Sequence, residues 1–151
     1  MSMKNVANLL GVLTVATASL GFSGMVSAHG DVVPQSVDTK GLTPLGNETW
    51  LEENPYHKEH PEYEVAVRIG ASAYNQNCAR CHGLEAISGG IAPDLRELEN
   101  GFVGDEWFIY RVREGAVRDG RVYMPRMADH MDQEAVWAIR AWLETVSLES
   151  N

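Results

Sequence analysis

The stretch Cys78-Ala79-Arg80-Cys81-His82-Gly83 ("CARCHG", residues 78–83) holds the only two cysteines of a 151-residue chain. What these cysteines bind decides the fold. A disulfide across C-x-x-C belongs with a thioredoxin-like strand–helix–strand pattern, which is absent here, and this motif ends a helical pattern instead of opening one. A structural zinc ion takes four ligands. Cys78, Cys81 and His82 offer three, the adjacent Cys81 and His82 do not readily face one tetrahedral ion, and there is no second cysteine pair. The third chemistry is covalent haem, for which C-x-x-C-H is the attachment signature. Cys78 and Cys81 would form thioethers to the haem vinyl groups, and His82 would point at the iron from the same turn. The residues favour one covalently bound haem c.

The flanks agree. Upstream, Pro61 suits the first turn of a helix, and Val65, Ile69 and Ala73, with Ala66, Gly70 and Tyr74 beside them, recur at helical spacing up to Cys78. Downstream, residues 83–104 carry "SGGIAPDL" and read as loop. Asp105 is expected to cap a second helix with the stripe Phe108, Ile109, Val112 and Ala116, ended by Gly115 and Gly120. A loop with "YMPRM" follows. Asp132 is expected to cap a last helix in which Ala135, Ala138, Ile139, Trp142, Leu143 and Val146 keep one face apolar. No stretch alternates with a strand's period for long. The fold class is therefore all-α: three main helices around one haem. Fewer than 100 residues with loops this long make a thin protein core, and a porphyrin would fill its centre.

The chain divides into three parts. Residues 1–28 read as a signal peptide: Lys4, an apolar run from Val6 to Met25, then Val26-Ser27-Ala28 as a small-x-small cleavage pattern. An uncleaved anchor is the alternative, since the run is about long enough to span a bilayer. Export implies the periplasm or the exterior. Residues 29–60 lack periodicity and read as an irregular strap, with Trp50 and Tyr56 as anchors. Residues 61–151 form the domain. Without the leader's Lys4, the 12 Lys and Arg become 11 against 21 Asp and Glu, a net charge of −10 with histidine neutral. Such a surface speaks against nucleic acid and anionic membranes as partners.

The sixth position of the iron decides between electron transfer and ligand chemistry. Met124, Met127 and Met131 are candidates, with His130 a weaker rival; His57 and His60 belong to the strap. Pro125 stiffens the loop after Met124. Trp137 falls off the apolar face of the last helix, which suits packing beneath the strap or an exposed docking spot. Arg96, Arg111 and Arg121 suit surface solvation or pairing with haem propionates.

In this order, "GASAY" before "CARCH", then "APDL", "YMP" and an aromatic-bearing last helix, the chain resembles the class I cytochromes c over residues 62–147. The resemblance implies that Gly70 lets the first helix approach the last, against Trp142. It implies that Pro93 accepts a hydrogen bond from His82, that Leu95 packs on the haem, and that Met124 is the axial methionine. The family usually has an aromatic where this chain has Met127. Over nearly the whole mature chain, the strap and "GASAYNQNCARCHGLEAISGGIAPDL" resemble the PedF-type periplasmic cytochromes c. That resemblance implies a monomeric one-electron carrier, not an enzyme. It would take electrons from a pyrroloquinoline-quinone (PQQ)-dependent alcohol dehydrogenase and pass them to a terminal oxidase or another cytochrome. The alternatives are a shuttle of another periplasmic pathway, a five-coordinate protein that binds small ligands, or a monohaem peroxidase.

Overall fold

The computed structural model describes residues 34–150. The expected leader and the first residues after it lie outside the described residues. Four helices follow one another: α1 (Tyr63–Asn77), the single turn α2 (Ala79–His82), α3 (Phe102–Glu114) and α4 (Gln133–Val146). A hairpin of β1 (Ala116–Arg118) and β2 (Arg121–Met124) joins α3 to α4. Among the described residues no helix is long and apolar enough to cross a membrane.

The core is the crossing of α1 and α4. Ala66, Ile69, Ala73 and Tyr74 of α1 are buried, and α4 is buried on nearly every side, from Ala135 through Val136, Trp137, Ala138 and Ile139 to Leu143. A helix apolar almost all round belongs at the centre of a fold. The crossing depends on Gly70: a Cβ there would stand 1.9 Å from the carbonyl oxygen of Ala138. Only glycine permits that approach. One turn on, Tyr74 and Trp142 pack with ring centroids 4.5 Å apart.

Several expectations need correction. The fold is mostly helical but not all-α, because of the hairpin. Its strands are three and four residues long and mostly exposed, so they bear no buried alternation that a periodicity search could register. The turn is Asp119-Gly120, both at positive φ (49° and 73°), the backbone that a two-residue Asp-Gly hairpin turn requires. Gly115 does end α3, but Gly120 belongs to this turn, and Ala116 lies in β1 rather than on the α3 stripe.

Asp105 does not cap α3, which begins three residues earlier after Gly101. Its carboxylate is buried and accepts from Arg140 Nε at 2.6 Å and from the Asn54 backbone N–H at 2.8 Å. Arg140 is itself buried and also donates to the Glu99 carbonyl at 2.7 Å. This pair ties α3, α4, the loop before α3 and the N-terminal segment together. Asp132 occupies the cap position of α4 without making a side-chain cap bond. Instead Asn47 accepts from the Gln133 N–H at 2.8 Å, while its amide nitrogen donates to Asp132 at 2.9 Å.

Residues 34–60 contain no helix or named strand, yet their polar groups are well used. The buried Gln133 donates to the carbonyls of Gly46 and Thr49 and accepts from the N–H of Leu51. The same Gln133 oxygen accepts from the Trp137 indole at 3.3 Å. Trp137 is fully buried beside Phe108, which rules out the exposed docking spot. Tyr56 is buried, with its ring edge-on to His60, whereas Trp50 is half-buried.

Candidate haem site

α1 delivers the cysteine motif. The N–H groups of Cys81 and His82 both donate to the Cys78 carbonyl, at 3.1 and 3.0 Å, which winds residues 78–82 into one turn. The Tyr74 hydroxyl closes that turn by donating to the Gly83 carbonyl at 2.8 Å. Burial holds this phenol well above its ordinary pKa, so it stays a donor. The two cysteines form no disulfide. Desolvation, with Cys81 beside it, pushes the Cys78 thiol up to about 12. An environment so hostile to a thiolate suits a neutral sulfur such as a thioether.

His82 places its Nδ1 2.9 Å from the Pro93 carbonyl oxygen. A carbonyl only accepts, so Nδ1 carries the proton and Nε2 keeps its lone pair for a metal. The loop that presents Pro93 is itself braced. Asp94 accepts from Arg96 Nε and a terminal guanidinium nitrogen at 3.0 and 2.8 Å, and from the N–H groups of Arg96 and Ser88. The Arg96 side chain, first among these donors, holds the Asp94 carboxyl well below the usual carboxylate range. Leu95 follows, half-buried against the core. A cleft of about 310 Å³ opens beside it, lined by Pro93, Leu95, Leu98, Val103 and Trp107.

Met124 ends β2, half-buried, and lines a second cleft of about 320 Å³ with Val117, Val122, Pro125 and His130. Met127 and Met131 are 4% and 5% exposed within the core cluster. Of the three methionines, Met124 is therefore the one beside open space. Among the other candidates, His130 is exposed and lines the cleft with Met124. His57 pairs with Glu59 at 3.1 Å, and His60 accepts from the Glu62 N–H. Arg96 is engaged by Asp94, Arg111 donates to the Gly115 carbonyl, and Arg121 is exposed.

These residues fit a haem. Two cysteine sulfurs could form thioethers to the porphyrin, and an imidazole with its Nε2 free and a methionine thioether are an axial pair suited to haem iron. Large apolar side chains stand open to solvent, Leu84 two residues after His82, Trp107 in the cleft with Pro93, and Val117 and Val122 in the cleft with Met124. No cluster of three His, Cys, Asp or Glu able to hold a metal ion occurs among the described residues. Two members of the site escaped the sequence reading. The Tyr74–Gly83 bond spans nine residues, and the Asp94–Arg96 brace gave only the local signal of an acid two residues before a base.

Comparison with known proteins is consistent with this geometry. Residues 65–143 match the family model described as cytochrome c oxidase, cbb3-type, subunit III. The chain is 62% identical over 149 residues to cytochrome c550 of Pseudomonas aeruginosa, covering 99% of each. It is 32% identical over 129 residues to quinohemoprotein alcohol dehydrogenase ADH-IIG of Pseudomonas putida, which is 81% of this chain but 17% of that protein. The dehydrogenase subunit of a Gluconobacter oxydans quinone-dependent alcohol dehydrogenase is 35% identical over 129 residues, 16% of its length. No solved structure matches.

Proposed function

The chain belongs to the c-type cytochromes, electron carriers rather than enzymes, and on that premise we propose that it shuttles single electrons in the periplasm. Its donor would be a PQQ-dependent alcohol dehydrogenase, and its acceptor a terminal oxidase or another cytochrome of the respiratory chain. Haem c supplies a one-electron iron couple. Cys78 and Cys81 would hold the haem covalently, His82 and Met124 would ligate the iron, and Pro93 and Leu95 would line its site.

The observation that carries the reading is the His82–Pro93 hydrogen bond. It fixes the ring's tautomer and plane before any ligation, which limits reorganisation when the iron changes charge. Tyr74 holds the attachment turn closed, and Asp94 with Arg96 keeps Pro93 in place. Met124, beside an open cleft, is the sulfur free to take the sixth position, and Met/His ligation raises the potential. None of these groups needs to accept or give a proton.

The donor reading draws support from the likeness to segments of two alcohol dehydrogenases, one named quinohemoprotein and one quinone-dependent. Periplasmic placement draws on the leader-like residues 1–28 and on the whole-chain likeness to cytochrome c550. The test mixes oxidised, haem-loaded protein with a PQQ alcohol dehydrogenase and its alcohol, and follows haem reduction by absorbance. Fast, alcohol-dependent reduction that saturates with cytochrome is expected. No reduction, while dithionite still reduces the haem, would overturn the donor assignment and leave the carrier.

A further inference from the structure

Charge is unevenly distributed along this acidic chain. Residues 111–126 hold five arginines against Glu114 and Asp119, where the whole chain has 12 Lys and Arg against 21 Asp and Glu. Three of the five are engaged outside the hairpin strands. Arg111 donates to the Gly115 carbonyl, Arg113 lies 5.8 Å from the centre of the Trp50 ring, and Arg126 pairs with Asp129 at 3.4 Å. The other two, Arg118 and Arg121, face each other across the hairpin as a register pair. Like charges directly opposite on a sheet destabilise it, and neither arginine has an ion-pair partner among the described residues.

Strand alternation sorts the hairpin into two faces. Val122 and Met124 share one side of β2, with Val117 opposite Val122, and all three line the cleft. Arg121 and Tyr123 share the other side, with Arg118 opposite Arg121. The Arg118 guanidinium lies 5.6 Å from the centre of the Tyr123 ring, and Tyr123 is 62% exposed. Arginine and tyrosine are the side chains that recur as anchors of protein interfaces.

We propose that this outer face of the hairpin, formed by Arg118, Arg121 and Tyr123, docks onto an acidic patch of a protein electron-transfer partner. The inference rests on the electron-carrier reading but not on which protein is the donor. A bilayer or a nucleic acid is an extended anionic surface and would also meet the acidic remainder of the chain. A compact acidic spot on a protein need cover only the hairpin. Docking there would bring the partner against the strand that ends in Met124.

The test uses poly-L-glutamate as the acidic probe and the reduced, haem-loaded, isotope-labelled full chain, read by amide NMR shifts at low salt. Shifts confined to residues 116–124 are expected, and they should fade at about 0.15 M salt. The R118E/R121E double variant should bind about tenfold more weakly, and R118K/R121K should retain most of the binding. A second readout is oxidation of the reduced protein by ferricyanide. Its rate should fall with ionic strength in the natural chain, despite the net negative charge, and rise with ionic strength in R118E/R121E. No binding, shifts centred on another face, or a double variant that binds as well as the natural chain would overturn the proposal. Should the alcohol dehydrogenase fail to reduce the haem while polyglutamate still seats on the hairpin, the donor assignment falls and the docking surface stands.

Discussion

The α1–α4 crossing and the other half of the fold, the segments around Pro93, Trp107 and Met124, are built on opposite terms. The crossing is closed by protein alone: glycine against backbone, Tyr74 against Trp142, and a buried arginine between three elements. On the other half, Trp107, Val117 and Val122 stand open to solvent, one cleft runs beside Pro93 and Leu95, and the other beside Met124. A small domain cannot afford that much open apolar surface for its own sake. The closed half supplies rigidity, and the open half is shaped for a group that the polypeptide does not contain.

That division can be broken by substitution, because stability should respond in one half and the haem spectrum in the other. The largest effect is expected for Gly70→Val. The Ala138 backbone at 1.9 Å cannot give way, so the cost should exceed about 3 kcal/mol, and little folded protein should be recovered in a thermal melt. Arg140→Leu leaves Asp105 buried with only the Asn54 N–H as a donor, at a cost of about 3–5 kcal/mol. Chemical denaturation of the haem-loaded protein measures this loss.

The two methionines sharpen the contrast. Met127→Ala should cost about 2–5 kcal/mol as a buried truncation and leave the ferrous spectrum unchanged. Met124→Ala should cost less, yet open the iron to carbon monoxide, seen as a shifted Soret band. If the two exchange roles, Met127 is the ligand and the division of labour is wrong.

The smallest effect concerns pH. The Asp94 carboxyl is depressed by Arg96, so its contribution is fully present above the ordinary carboxylate value of about 3.9. It fades only as pH falls below that value, through the lower folded one. Asp94→Asn should remove this acid-side loss and leave the stability difference between pH 5 and 8 unaltered, as read from melts across that range.

What the sequence disclosed follows from where each signal lies. The apolar stripes of α1 and α4 are local, dense and periodic, so both helices could be read directly. The "CARCH" turn carries its chemistry in five adjacent residues. Asp105 looked like a cap because acids favour helix starts. Its true partner, Arg140, lies 35 residues away, and no local pattern joins them. Asn47 could not be read as the cap of α4 for the same reason, standing 86 residues from Gln133. The hairpin was written in the sequence as Asp119-Gly120, but its strands bury too little to support the turn with alternation. Pro93 came from likeness to a family alone, since nothing in "APDL" states that a carbonyl will meet an imidazole eleven residues back.

The pairing of α1 with α4 also has a consequence in time. Joining α1 to α4 closes a loop over residues 78–132, and the entropy of closing such a loop must be met before the contact rewards it, so α1 and the cysteine turn precede the packing that completes them. During that interval α1 lacks its main neighbour, and the motif at its end stays accessible to whatever machinery attaches the prosthetic group. A topology that fastens the first helix to the last therefore works as a delay. It postpones closure of the core until after the stage at which covalent modification is easiest.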